Sequence, residues 1–202
     1  GNQVAGLLAY YIVSKHQSAA ASDSSGTDNP ALPVPFVVKT LVTTELITRI
    51  AEAHGVTTYG DLPVGFKWIG EAIDRYGPEK FLFGAEESLG YLAGTYARDK
   101  DASVAAMLLA ELAAEVKASG KPILDHLDEI YSRFGYHLER AVSKTRPGRE
   151  GAAEIAKIML ALRTSPPHRM AGMTVACISD FGTGEVRQLC GGSVPKPLAG
   201  PK

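Results

Sequence analysis

The feature that most constrains the fold is an alternation between strand-like and helix-like segments in the first 120 residues. Apolar segments rich in β-branched or aromatic residues, which are typical of strands, occur at residues 36–43, 56–59, 80–85 and 91–96. Helical periodicity separates them, over residues 3–15, about 44–54, 65–77 and 101–119. Such alternation predicts an α/β fold, namely a three-layer α/β/α domain with a mixed sheet of about four strands over residues 1–120.

The pattern changes after residue 120. Two amphipathic helices are predicted at residues 122–134 and 151–163, and the second must stop before Pro166-Pro167. We interpret residues 121–171 as a helical linker. One further strand is predicted at 173–178, with no partner in the remaining sequence, so residues 172–202 are expected to begin an incomplete further domain.

Composition excludes several classes of function. The formal net charge is -1 and no cluster of Lys and Arg occurs, which argues against nucleic acid as a partner. No apolar run approaches the roughly 20 residues that span a bilayer, so no membrane association is expected. Cys177 and Cys190 are predicted to be free thiols in a reducing cytoplasm, without histidines at metal-ligand spacing. The chain also lacks an initiator Met and a closing element, as expected of a fragment.

The candidate site lies in FLFGAEESLGYLAGTYARDKDA, residues 81–102. Glu86 and Ser88 are two residues apart and share a face of an extended chain, so the carboxylate and hydroxyl can hydrogen-bond neighbouring sugar hydroxyls. Gly84 and Gly90 allow the backbone to approach a ligand closely. A solvated acidic loop after a strand is the alternative interpretation, because EES alone is not a specific motif.

Two lysines complete the set of candidates. Lys100 stands just before a predicted helix, where the helix dipole disfavours a cation, which indicates an anionic partner. Asp99 and Asp101 can instead neutralise it. Lys67 lies at a helix start, beside Trp68. Its alternative interpretation is an ordinary surface lysine. No phosphate-binding loop, nucleophile elbow or zinc-protease motif is present, and no catalytic residue is predicted within this chain.

Several segments resemble one family, the α-D-phosphohexomutases, which comprise phosphoglucomutase, phosphomannomutase and their relatives. The resemblance is closest to the phosphoglucomutase/phosphopentomutase branch. It rests on GNQVAGLL at the start, VVKTLVTTELITRIAEAHGV at 37–56, GFKWIGEAI at 65–73, FGAEESLG at 83–90, ARDKDA at 97–102 and PGREGAAEIAKIMLALR at 147–163. It implies that the chain is a fragment covering the third domain and the start of the fourth.

By that resemblance, Glu86 and Ser88 bind sugar hydroxyls, Lys100 helps to hold the sugar or its phosphate, and Lys67 borders the cleft. The parent enzyme would interconvert 1- and 6-phosphosugars through a phosphoserine and a glucose 1,6-bisphosphate intermediate. Its Mg2+ ligands and catalytic serine would lie outside this chain, which is therefore expected to be inactive alone. The implied partners are a hexose phosphate and the missing domains of the same chain.

The identity of the sugar stays open. Ala85 stands where many members of the family have a second glycine, and Val64 where some have threonine. A phosphopentomutase or phosphomannomutase parent is an alternative to a phosphoglucomutase. A stand-alone module that binds sugar phosphates without chemistry is another.

Overall fold

The computed structural model describes residues 1–23 and 34–191. These residues fall into two units, which meet in sequence between Glu139 and Arg140. The strands of the first unit are β1 (Phe36–Thr40), β2 (Thr57–Leu62), β3 (Phe81–Glu86) and β4 (Gly90–Ala93). They form one sheet in the order β2-β1-β3-β4. β1 pairs in parallel with β2 and β3, and β3 pairs antiparallel with β4. The predicted mixed sheet of four strands is thus confirmed.

The sheet is covered on both faces, as predicted for a three-layer α/β/α domain. The helices of this unit are α1 (Asn2–Asp23), α2 (Leu46–Ala53), α3 (Phe66–Tyr76), α4 (Ala102–Ala118) and α5 (Ile123–Phe134). Along β1, Val37 packs into a cluster with α1, α2, α4 and α5, whereas Phe36 and Val38 pack with α3. All five residues of β1 are buried, which explains the apolar run over residues 36–38 at its start.

The position of α5 differs from the expectation drawn from sequence. The segment was assigned to a linker over residues 121–171, but the structure includes α5 in the first unit. Leu127 and Ile130 are buried in the same cluster as α1 and α2. The amphipathic pattern located the helix correctly, but its apolar face does not reveal which neighbour covers it.

Helix α1 is longer than predicted. Periodicity indicated a helix over residues 3–15 and a surface loop over 17–35, yet the helix continues to Asp23. The Ala and Ser residues that follow His16 are compatible with helix, and this composition misled the sequence analysis. Residues 24–33 of the expected loop lie outside the described residues.

The second unit contains α6 (Gly148–Thr164), followed by the short strands β5 (Arg169–Met170), β6 (Met173–Thr174), β7 (Cys177–Asp180) and β8 (Glu185–Gln188). The expectation of one strand at 173–178 without a partner was wrong. That segment is divided between β6, which pairs with β5, and β7, which pairs with β8. Gly184, with φ +72°, turns the chain between β7 and β8. The polar sequence EVRQ of β8 gave no strand signal.

Candidate functional site

The candidate residues cluster at the end of the sheet where β1 and β3 finish, the edge at which open α/β sheets commonly bind ligands. Glu86 is the last residue of β3, and Gly90 is the first residue of β4. Between them the chain makes a turn in which Leu89 has φ +65°, a value that is uncommon for a residue with a side chain. This tight turn holds Ser88 exposed at its tip.

Glu86 is buried, with only 3% of its surface exposed. Its Oε1 accepts a hydrogen bond of 2.7 Å from the backbone N–H of Gly65, the residue directly before α3. Ser88 is exposed, whereas Glu86 is enclosed, because residues 87–89 form a turn rather than an extended strand. The structure therefore brings Glu86 together with the start of α3, 21 residues earlier in the chain.

Lys100 lies beside Glu86 at Gly90. A Cβ atom placed on Gly90 would be 3.1 Å from Lys100 Cδ and 3.2 Å from Glu86 Oε2, so both side chains pass close to this glycine. The Nζ atom of Lys100 lies 5.9 Å from the centroid of the Phe66 ring and 3.5 Å from Asp99 Oδ1. The ammonium group is exposed and partly neutralised by Asp99, as one of the two sequence interpretations anticipated.

Asp101 caps α4. Its carboxylate accepts hydrogen bonds from the backbone N–H groups of Ser103 and Val104 and from the hydroxyl of Tyr96. The Tyr96 hydrogen bond is the largest cause that lowers the pKa of Asp101 below its ordinary value of 3.8, and the two backbone bonds add to it. The carboxylate thus offsets the helix dipole beside Lys100.

Lys67 is exposed in the first turn of α3. Its Nζ lies 4.8 Å from the centroid of the Trp68 ring, a cation–π arrangement. Trp68 itself packs against the cluster beneath α3. Phe66, the residue before Lys67, is buried, so neighbouring residues of this turn face the core and the solvent.

A buried polar cluster at the end of β1 was missed by the sequence analysis. Lys39 is only 1% exposed, and its Nζ donates to the Thr43 carbonyl at 3.1 Å and to Glu45 Oε1 at 2.6 Å. Burial by itself would raise the pKa of Glu45, but the hydrogen bond and charge of Lys39 outweigh it and lower the pKa. The sequence signal for this cluster was a lysine directly after the apolar residues FVV of a predicted central strand.

Two buried threonines connect this cluster to the candidate loop. The hydroxyl groups of Thr40 and Thr43 are 2.7 Å apart, and each lies 3.5 Å from Glu87 Oε2. Contacts of 3.5 Å are weak, so Glu87 is held loosely. Glu86 and Glu87 therefore face different neighbours, as their adjacency in sequence predicts.

The beginning of α1 is also fixed at this edge. The hydroxyl of Tyr91 donates to the Gly1 carbonyl at 2.8 Å, and Asn2 Oδ1 accepts from the Thr44 N–H at 3.0 Å. Burial raises the pKa of Tyr91 to about 12, which keeps the phenol protonated as a donor. The turn between β3 and β4 and the first residues of α1 are therefore held together.

The resemblance to the α-D-phosphohexomutases implies a Mg2+ ion in the whole enzyme. Among residues 1–23 and 34–191, no group of three or more His, Cys, Asp and Glu side chains is arranged to hold a metal ion. These residues therefore do not fit a Mg2+ site. Within the same ranges, every helix is too short or too polar to cross a lipid bilayer.

Comparison with known proteins identifies the family. A family model described as phosphoglucomutase/phosphomannomutase, alpha/beta/alpha domain III, matches residues 1–134. The chain belongs to this family. The match covers α1 to α5. It includes all four candidate residues, Lys67, Glu86, Ser88 and Lys100.

Curated relatives extend the similarity along the chain. Phosphoglucomutases of Staphylococcus epidermidis and Staphylococcus aureus are 33% and 32% identical to it, each over 190 residues. The alignments cover 94% of this chain but 32% of the relatives, so the chain spans about a third of their length. A crystal structure of parafusin, a phosphoglucomutase from Paramecium, shares the fold with a TM-score of 0.55 and 16% identity, over 91% of this chain and 30% of that one.

Proposed function

We propose that this chain is the sugar-phosphate-recognition part of an enzyme that interconverts 1- and 6-phosphosugars, with glucose phosphates as the substrates. The observation that carries the proposal is that Glu86 Oε2 and Lys100 Cδ both lie close to Gly90. A carboxylate oxygen accepts hydrogen bonds from sugar hydroxyls, and an ammonium group beside it attracts a phosphate. Membership in the phosphoglucomutase/phosphomannomutase family supports the same substrate class.

The proposed roles follow from the contacts of Glu86 and from the exposure of the other three groups. Glu86 presents Oε2 to sugar hydroxyls, since Oε1 is occupied by Gly65. Ser88, exposed at the tip of the turn that follows Glu86, offers a separate hydroxyl to the sugar. Lys100 and Lys67 are exposed cations that attract and orient the phosphate. Positioning of this kind is a large share of catalysis in phosphoryl transfer.

The chemical step itself is assigned to other parts of the whole protein. We propose that a phosphoserine donates the phosphoryl group and that a hexose bisphosphate, such as glucose 1,6-bisphosphate, is the intermediate. Mg2+, when bound elsewhere in the protein, would stabilise charge on the phosphoryl group. We further propose a cytoplasmic location, consistent with two free cysteines.

The test is the substitution Glu86→Ala in the full-length protein. We expect kcat/KM for glucose 1-phosphate to fall about 10- to 100-fold, because a hydrogen bond to a charged group is lost. Glu79→Ala is the matched control, since Glu79 lies in the short 3-10 helix before the opposite end of β3 and its substitution should leave kcat/KM unchanged. Circular dichroism verifies that both variants fold. Equal kinetics for Glu86→Ala and wild type would contradict the proposal.

The same assay tests the alternatives. Mannose and pentose phosphates in place of glucose 1-phosphate distinguish a phosphomannomutase or phosphopentomutase. We also expect residues 1–202 alone to be inactive, because we assign the phosphoryl donor to another part of the protein. Conversion of glucose 1-phosphate by the purified 202-residue chain would refute that assignment, and binding without turnover by the full-length protein would favour a non-catalytic module.

A further inference from the structure

The first turn of α3 connects three of the four candidate residues. Gly65, at its start, donates its N–H to Glu86. The ring of Phe66 lies 5.9 Å from Lys100 Nζ, and Lys67 belongs to the turn itself. A change in the position of this turn would therefore alter both cations at once.

Helix α3 has no side-chain cap of its own. Its N-cap residue is Gly65, with φ +127° and ψ 123°, a backbone conformation that residues with side chains rarely adopt. The chain enters through Pro63, which has no N–H to donate. The backbone bond from Trp68 N–H to the Gly65 carbonyl closes the turn at 3.0 Å, but it lies within the turn. The hydrogen bond to Glu86 ties the turn to the sheet.

The surroundings of the hydrogen bond between Gly65 and Glu86 strengthen it. Glu86 is buried, its carboxylate is a charged acceptor, and the distance to Gly65 N is 2.7 Å. Charge-assisted hydrogen bonds shielded from water are stronger and more rigid than exposed neutral ones. The two oxygens of Glu86 are used differently, because Oε1 holds Gly65 and Oε2 lies against Gly90 beside Lys100.

We propose that Glu86 is a positioning residue for the first turn of α3, in addition to contacting the sugar. One carboxylate thus sets where Lys67 stands relative to the phosphate, and it couples the turn between β3 and β4 to the helix. The kinetic part of this inference rests on the proposed function. The structural part does not, because the Gly65 contact exists without a ligand.

Trp68 provides a direct readout, since it is the single tryptophan of these 202 residues. A Cβ placed on Gly65 would lie 3.7 Å from Trp68 Cδ1, so the indole senses the position of Gly65. We would label the full-length protein with 5-fluorotryptophan and assign Trp68 in the 19F spectrum by comparison with Trp68→Phe. The measurement is made without sugar.

Glu86→Met removes both oxygens but retains the volume of the side chain, so the Trp68 resonance should shift or broaden. Glu86→Gln retains a carbonyl oxygen that can accept from Gly65, and the resonance should stay near its wild-type position. Glu87→Met is the matched control, because Glu87 faces Thr40 and Thr43 rather than α3. If Glu86→Met fails to fold, Glu86→Thr serves in its place. An unmoved Trp68 resonance in folded Glu86→Met, or in Glu86→Thr where that variant is used, overturns the proposal.

A double-mutant cycle tests the link to Lys67. If Glu86 acts through the turn, the KM increases caused by Glu86→Met and Lys67→Ala should not multiply, and the double variant should fall well short of the product of the single effects. When Glu86→Gln is used in place of Glu86→Met, Lys67→Ala should again raise KM as much as it does in the wild type, because glutamine can still accept the Gly65 hydrogen bond. Multiplicative effects overturn the link. An inactive wild-type enzyme would refute the proposed function while leaving the 19F result to decide the structural proposal.

Discussion

At the scale of single residues, Gly90 is the backbone position that the side chains of Glu86 and Lys100 both approach closely. Its φ is not positive, so alanine can be accommodated by the backbone without strain. The added Cβ would nevertheless stand 3.1 Å from Lys100 Cδ and 3.2 Å from Glu86 Oε2, closer than ordinary van der Waals contact. A flexible lysine can yield by a few tenths of an ångström. The cost of Gly90→Ala should therefore appear in binding geometry rather than in stability.

We predict that Gly90→Ala in the full-length protein raises KM for the hexose phosphate about 10-fold, because small displacements of positioning groups have large kinetic effects. The free energy of unfolding should change by less than about 1 kcal/mol. Gly191→Ala is the control, since a Cβ there meets no atom within 4 Å. Steady-state kinetics and chemical denaturation provide the two measurements. A stability loss without a change in KM would contradict this assignment.

The charge of Asp101 should produce a pH dependence of stability. Since the folded state lowers the pKa of this carboxyl below 3.8, the charge stabilises the fold above pH 3.8, and this contribution is lost as pH falls through the lowered pKa. Asp101→Asn retains a capping oxygen but not the charge. We expect the wild-type Tm to exceed that of Asp101→Asn at neutral pH, with the difference fading below 3.8. Asp128→Asn, on exposed α5 surface, is the control. A pH-independent difference would exclude the charge as its cause.

At the scale of elements, α5 is a structural part of the first unit. Leu127 is 7% exposed, whereas Leu124, three residues earlier on the same helix, is 68% exposed. The two positions form a matched pair for Leu→Ala substitution. Only Leu127 packs with the cluster that includes α1 and α2.

Leu127→Ala should reduce the free energy of unfolding by about 2–4 kcal/mol through lost burial and a residual cavity. Leu124→Ala should change it by less than about 0.5 kcal/mol, as is usual for exposed sites. Denaturant unfolding of both variants measures the contrast. Equal effects would mean that α5 does not pack on the unit as described.

The same elements show how much of the structure could be predicted from sequence. The four strands of the first unit and the helices between them were located correctly from sequence, because apolar periodicity is a local signal. The pairing of β7 with β8 was missed, since EVRQ carries no apolar alternation. The bond between Glu86 and Gly65 was also missed, because it joins residues far apart in sequence.

At the scale of the whole molecule, the first unit ends beyond the boundary that the sequence suggested. Composition and pattern placed the end of the domain near residue 120, while the structure extends the unit to Glu139. The family match to residues 1–134 includes α5 as well. Helix α5 contributes buried Leu127 and Ile130, with Ile123, Tyr131 and Phe134 partly buried at the edge of the cluster. Its removal would expose the side of α1 that it covers.

We therefore predict that residues 1–139 fold cooperatively and residues 1–120 do not. Net stabilities of domains are about 5–15 kcal/mol, and the removal of two fully buried side chains with their partners forfeits a large part of that margin. Thermal unfolding followed by circular dichroism should show a sigmoidal transition for 1–139 and a broad or absent one for 1–120. Residues 1–134, which end with α5, are the control and should behave like 1–139. Identical transitions for 1–120 and 1–139 would mean that α5 belongs to the linker. Residues 1–120 alone would then form the recognition unit.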